Sequence, residues 1–77
     1  MTFYELLSVV SEKHPETVPC GAEGHLKQCI SEATEERLLS LPMDEAVMII
    51  VGTVEAINHG AVETIEELIE GKIGSRG

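Results

Sequence analysis

Basic residues are scarce in this chain: five Lys and Arg stand against 14 Asp and Glu in 77 residues. That shortage excludes nucleic acid as a direct ligand, because gripping a phosphate backbone takes clustered cations. Aromatic residues are scarcer still. Phe3 and Tyr4 are the whole set, so there is no platform on which bases could stack. Long apolar runs are also missing. The longest spans 46–51, far short of the about 20 residues that a membrane-spanning helix needs. Anionic membranes would repel the chain's charge as well. The opening residues lack a basic stretch, and Glu5 interrupts the apolar positions around it. This predicts no secretory signal and a cytoplasmic protein, in which Cys20 and Cys29 are expected as reduced thiols. Phosphate-binding glycine loops, EF-hand loops, nucleophile elbows and H-E-x-x-H are all absent from the sequence, and these are the motifs that would carry catalysis or a cofactor. So short a chain leaves little room for a pocket that shifts a carboxyl pKa. A non-enzymatic protein without a cofactor is the expectation.

What the chain does contain is aliphatic surface at helical spacing. A hydrophobic fraction of 43% is enough for a core, so the charge does not imply disorder, and the length suits a single domain over 1–77. Thr2 with Glu5 forms a capping-box pattern, and Phe3, Leu6, Leu7 and Val10 recur on one face, predicting a helix over 3–13. His14-Pro15 ends it. Pro15, Pro19 and Gly21 mark 14–21 as a loop. A second helix is expected over 23–40, with Leu26, Cys29, Ile30 and Ala33 as its stripe. Leu38 and Leu39 fall off that stripe by about 120° and about 220°, so the helix either bends near Thr34 or is buried on two sides. The strongest pattern is Met43, Val47, Ile50, Val51, Val54 and Ile57, which predicts a central helix over 43–59 closed by Gly60. The branched run 46–51 also allows a strand there, but the helical spacing continues past Gly52. Gly52 inside a helix costs about 1 kcal/mol against alanine, and close approach of a neighbouring backbone would account for it. A short helix over 61–70 is expected to turn Val62, Ile65, Leu68 and Ile69 inward, with 71–77 as a flexible tail. The fold expected is all-α, four helices around the central one.

Charge supplies the functional reading. Residues 32–70 hold ten acids and one base, Arg37. Glu63, Glu66, Glu67 and Glu70 share the outer face of the last helix, and Glu32, Glu35 and Glu36 can lie beside them. Like charges at i,i+3 and i,i+4 each cost a few tenths of a kcal/mol, roughly, in an isolated helix. A lysine on that face would help stability, and none is present. The expectation is a small acidic protein that binds a basic protein surface through these seven carboxylates and inhibits or regulates it. A nucleic-acid-binding protein is one such partner, with the acid standing in for phosphate charge. One alternative is a homo-oligomeric structural or assembly protein that buries surplus apolar surface of the central helix. Another is a zinc-stapled adaptor. His14, Cys20, His25 and Cys29 supply four ligand types, but their order, H-x5-C-x4-H-x3-C, fits no standard finger. Cys29 already fits a core stripe, where a thiol behaves as a small hydrophobe. No metal is therefore assigned. His59 reads as a helix-terminal residue that favours the negative end of the dipole.

Overall fold

The computed structural model describes residues 2–19 and 21–74. These form α1 (Phe3–Lys13), α2 (Glu23–Gln28), α3 (Glu32–Leu39), α4 (Met43–Asn58) and α5 (Ile65–Gly74), and no strand occurs among the described residues. The fold is all-α, as the periodicity implies, and 46–51 is helical. The helix expected over 23–40 is two helices, so the described elements number five, not four.

α1 begins as its sequence requires. The Thr2 hydroxyl accepts from the Glu5 amide at 3.2 Å, and the Glu5 carboxylate accepts from the Thr2 amide at 3.2 Å. Two of the donors that a helix start leaves without partners are thereby satisfied. Phe3, Leu6, Leu7 and Val10 are buried. The loop that follows makes a turn, with the amides of Thr17 and Val18 donating to the His14 carbonyl at 3.1 and 2.9 Å. That turn drives Val18 into the core, a contribution the proline-marked loop gave no sign of.

The break between α2 and α3 has a definite cause. Ser31 sits in extended geometry, φ −73° and ψ 160°, and its hydroxyl accepts from the Thr34 amide. This is an N-cap, which starts a new helix instead of continuing the old one. The break resolves the mismatch in the stripe. Leu26 and Ile30 reach the core before it, while Leu38 reaches the core from a second axis. Ala33, assigned to the stripe of a continuous helix, is exposed.

α4 packs against α1, α3 and α5 and is the centre of the fold. Val47, Ile50 and Val51 are buried, and Ala46, Ile49 and Thr53 extend that face. Burying a large aliphatic side chain is worth about 1.5–3 kcal/mol, so this helix dominates the core. Its end is a Schellman motif: Ala61 donates to the Ala56 carbonyl and Gly60 to the Ile57 carbonyl, both at 3.0 Å. Gly60 has φ +92°, a conformation that glycine adopts without a Cβ penalty.

α5 starts four residues later than the apolar spacing suggests, at Ile65. Thr64 accepts from the Glu67 amide, and Glu67 accepts from the Thr64 amide, each at 3.2 Å. This second capping box fixes the start. Val62 therefore precedes the helix and is 95% exposed, not inward. The helix also runs through Gly71 to Gly74. Ile69 is buried and Ile65 and Ile73 pack against the core, so a stripe at i, i+4, i+8 carries the helix past a weak helix former. Residues 75–77, the rest of the expected tail, lie outside the described residues.

Candidate functional site

α5 lies along α3, and this brings acids from both helices together. The capped start of α3 faces the flank of α5. Glu66 Oε1 accepts from the Ser31 amide at 2.7 Å and lies 3.2 Å from the Thr34 hydroxyl. Glu70 Oε1 lies 2.9 Å from the same hydroxyl and 3.3 Å from Arg37 Nη1. Thr34 is 0% exposed. Its hydroxyl carries one proton, so it donates to one carboxylate at a time. The shorter distance favours Glu70, and the Ser31 hydroxyl, 3.2 Å away, can donate to Thr34 in turn. The result is a polar seam that runs from Ser31 through Thr34 to Glu70, with Glu66 closing the Ser31 amide.

The electrostatics are those of an anion at a helix N-terminus. The free amides and positive dipole end of α3 favour negative charge beside Ser31. Hydrogen bonding from Ser31 holds the Glu66 carboxyl below the usual carboxylate range against the opposing effect of desolvation. The missing lysine on the α5 face thus has an internal cause at two positions. A cation at 66 or 70 would face the positive end of α3.

The remaining candidates divide. Glu35 is buried and pairs with Lys27, which ties α2 to α3 across the break. Its carboxylate, through that hydrogen bond, raises the Lys27 pKa above its ordinary value. Glu67 serves the α5 cap, accepting also from the Thr64 hydroxyl at 3.0 Å. Glu32, Glu36 and Glu63 are exposed. Glu70 keeps 47% of its side chain exposed despite Arg37. Four of the seven carboxylates therefore have work inside the chain, and three face solvent.

Sequence reasoning named Thr34 only as the place of a bend and passed over Ser31, although Ser31 followed by acids at 32 and 35 is an N-terminal signal. The Thr64-x-x-Glu67 pattern was equally visible. The cysteine and histidine candidates separate. His25 Nε2 and Cys29 Sγ are 3.8 Å apart across one turn, while His14 caps the end of α1. Cys20 lies outside the described residues. No group of three or more His, Cys, Asp or Glu among the described residues is arranged to hold a metal ion. His59 forms the C-cap of α4. None of the helices among the described residues is long and apolar enough to cross a membrane. No family model matches the chain, and no curated protein or solved structure matches it either, so its own side chains carry the functional reading.

Proposed function

We propose that this chain is a non-enzymatic cytoplasmic binding protein whose surplus carboxylates dock on a basic protein surface and so inhibit or regulate that partner. A nucleic-acid-binding protein suits the role, because the acid can occupy a site built for phosphates. The observation that carries the reading is the size of the excess. Five basic residues cannot offset 14 acidic ones, so a net charge of −9 remains however the internal pairs form. Glu32, Glu36 and Glu63 are exposed, and Glu67 and Glu70 present what their internal bonds leave open. A field of one sign speeds encounter with the opposite sign and does so less as salt rises.

The test is capture from native lysate at low and high salt, using the wild type and a Glu32→Gln, Glu36→Gln, Glu63→Gln triple variant. A basic protein should be retained at low salt, with slower association and a flatter salt dependence for the variant. Equal capture by both proteins at both salt levels would remove the reading. A second reading, self-association, has Met48 in its favour, which is 59% exposed on α4. A molar mass that rises with concentration in light scattering would favour it over the first.

A further inference from the structure

A groove of about 450 Å³ opens where residues 16–19 and Ala22, α2, the end of α4 and the start of α5 meet. Val18 and Leu26, both buried, form its floor, and Val54, Ile57 and Ile65 form its walls. Ile57 is 36% exposed at the edge. The polar lining is Glu16, Thr17, His25 and Asn58, with no Lys or Arg among the described lining residues. The carbonyl end of α4 brings the negative pole of a helix dipole to Ile57 and Asn58, and the start of α5 at Ile65 brings a positive one. The charge that favours a cation here is therefore the Glu16 carboxylate and the chain's net −9.

We infer that this groove is the docking site for a basic amphipathic helix of a partner protein. Its volume falls within the about 300–1,000 Å³ typical of ligand pockets, and its open apolar walls suit anchors at i, i+3, i+4 and i+7 of an incoming helix. Charge chooses among occupants. A second copy brings another −9 against a groove already bordered by Glu16. A fatty acid or a nucleic acid brings negative charge to the same place. A cationic helix places its apolar stripe on Val54, Ile57 and Ile65 and its Lys or Arg toward Glu16. The inference rests on the reading that the partner is basic, and it adds where that partner's apolar residues go.

Two synthetic peptides of about four helical turns make the test. Both have one Leu/Lys composition. In the first the leucines share one face, and in the second their order is scrambled. Methyl NMR and calorimetry follow each against the wild type, Ile57→Ser and Glu16→Gln. The faced peptide should shift the Leu26, Val54, Ile57 and Ile65 methyls. Its affinity should fall about tenfold in Ile57→Ser, near 1.4 kcal/mol, and severalfold in Glu16→Gln, with the circular dichroism of both variants unchanged. Glu16 lies in an exposed loop, so that variant stays informative if Ile57→Ser loosens the fold. Equal binding of both peptides, with groove methyls unmoved, would overturn the groove and leave the anionic docking reading standing. Absence of binding by either peptide at low salt would overturn both. Groove methyls that shift with protein concentration alone would assign the site to a second copy and overturn the proposal.

Discussion

Two helix starts in this molecule do the same job by different means. At α1 the cap is local: the Thr2 hydroxyl and the Glu5 carboxylate that complete it are three positions apart. At α3 the hydroxyl is local, but the carboxylate that takes the cap residue's own amide is Glu66, 35 positions away on another helix. Glu66 does for Ser31 what Glu5 does for Thr2. The first arrangement fixes the end of one helix. The second fixes a helix end and docks a second helix against it, so cap and tertiary contact become one interaction. It also assigns a role to part of an acidic stripe that looks, residue by residue, like unfavourable like-charge crowding.

The comparison breaks most sharply at Thr34, the buried hydroxyl of the long-range cap. Thr34→Val keeps the shape and removes the donor that Glu70 uses. A hydrogen bond to a charged group is worth about 1.5–3 kcal/mol. The loss should fall near the lower figure because Glu70 is half exposed, and it should appear in the midpoint of urea unfolding. A Thr34→Val, Glu70→Gln double-mutant cycle should be non-additive by about 0.5 kcal/mol or more. An additive cycle would mean that the seam between α3 and α5 is geometry without energy.

The two caps can then be set against each other directly. Ser31→Ala should cost up to about 2 kcal/mol and Thr2→Ala nearer 0.5–1 kcal/mol, the two ends of the range for lost N-caps. Alanine keeps the amide that Glu66 takes, but it removes the hydroxyl that caps the Thr34 amide and donates to the Thr34 hydroxyl, through which Glu70 of α5 is held, whereas Thr2 frays one exposed helix end. Thermal unfolding of both variants measures the gap. Equal losses would show that the hydroxyl chain from Ser31 to Thr34 adds nothing to the cap.

What the sequence made legible follows the same division between local and distant. The bounds of α1, the middle of the α4 face and its glycine stop all rest on residues a few positions apart, and the spacing predicted each, although Ile57, the last position of that face, is exposed because the helix end runs past the core. Leu38 and Leu39, off the stripe of the residues before them, pointed to a bend near Thr34 but left burial on two sides as an equal reading, and spacing alone did not place a break at Ser31. Only packing on two axes satisfies both sets of residues. The start of α5 was missed in favour of apolar spacing, although Thr64 and Glu67 spelled out a cap. Its continuation through Gly71 could not be read locally, since Ile73 outweighs the glycine only by reaching the core. Among the candidate carboxylates, spacing does not separate Glu35 and Glu66, which bond inside the chain, from Glu32, Glu36 and Glu63, which are exposed. Partners for the inward ones lie on other helices.

Acid should expose the distant cap as well. The Glu66 carboxyl is held below its ordinary value in the folded protein. Its contribution is therefore complete above the unfolded pKa of about 4.3 and is lost as pH falls through the lower folded value. Wild type and Glu66→Gln should differ in stability near neutral pH and converge in urea unfolding as pH drops below about 4. A gap that persists unchanged into acid would show that the charge of Glu66 does not matter to the contact.

The smallest effect tests the division inside a single helix. Local propensity disfavours Gly52 in the middle of α4, and the sequence suggested that a neighbouring backbone excludes a side chain there. The neighbour is instead a side chain from α5: an added Cβ would sit 3.3 Å from Lys72 Nζ and 3.4 Å from its Cε. Those atoms are the far end of a flexible chain and can give by a few tenths of an ångström, which a backbone could not. Local preference should then win, and Gly52→Ala should stabilise the protein by somewhat less than the about 1 kcal/mol of the full propensity difference, seen as a small rise in Tm. Adding Lys72→Ala removes the crowding and isolates the propensity gain. If Gly52→Ala destabilises, and does so only while Lys72 is present, the α4–α5 contact is tighter than its flexible end suggests, and the distant partner decides here as it does at Ser31.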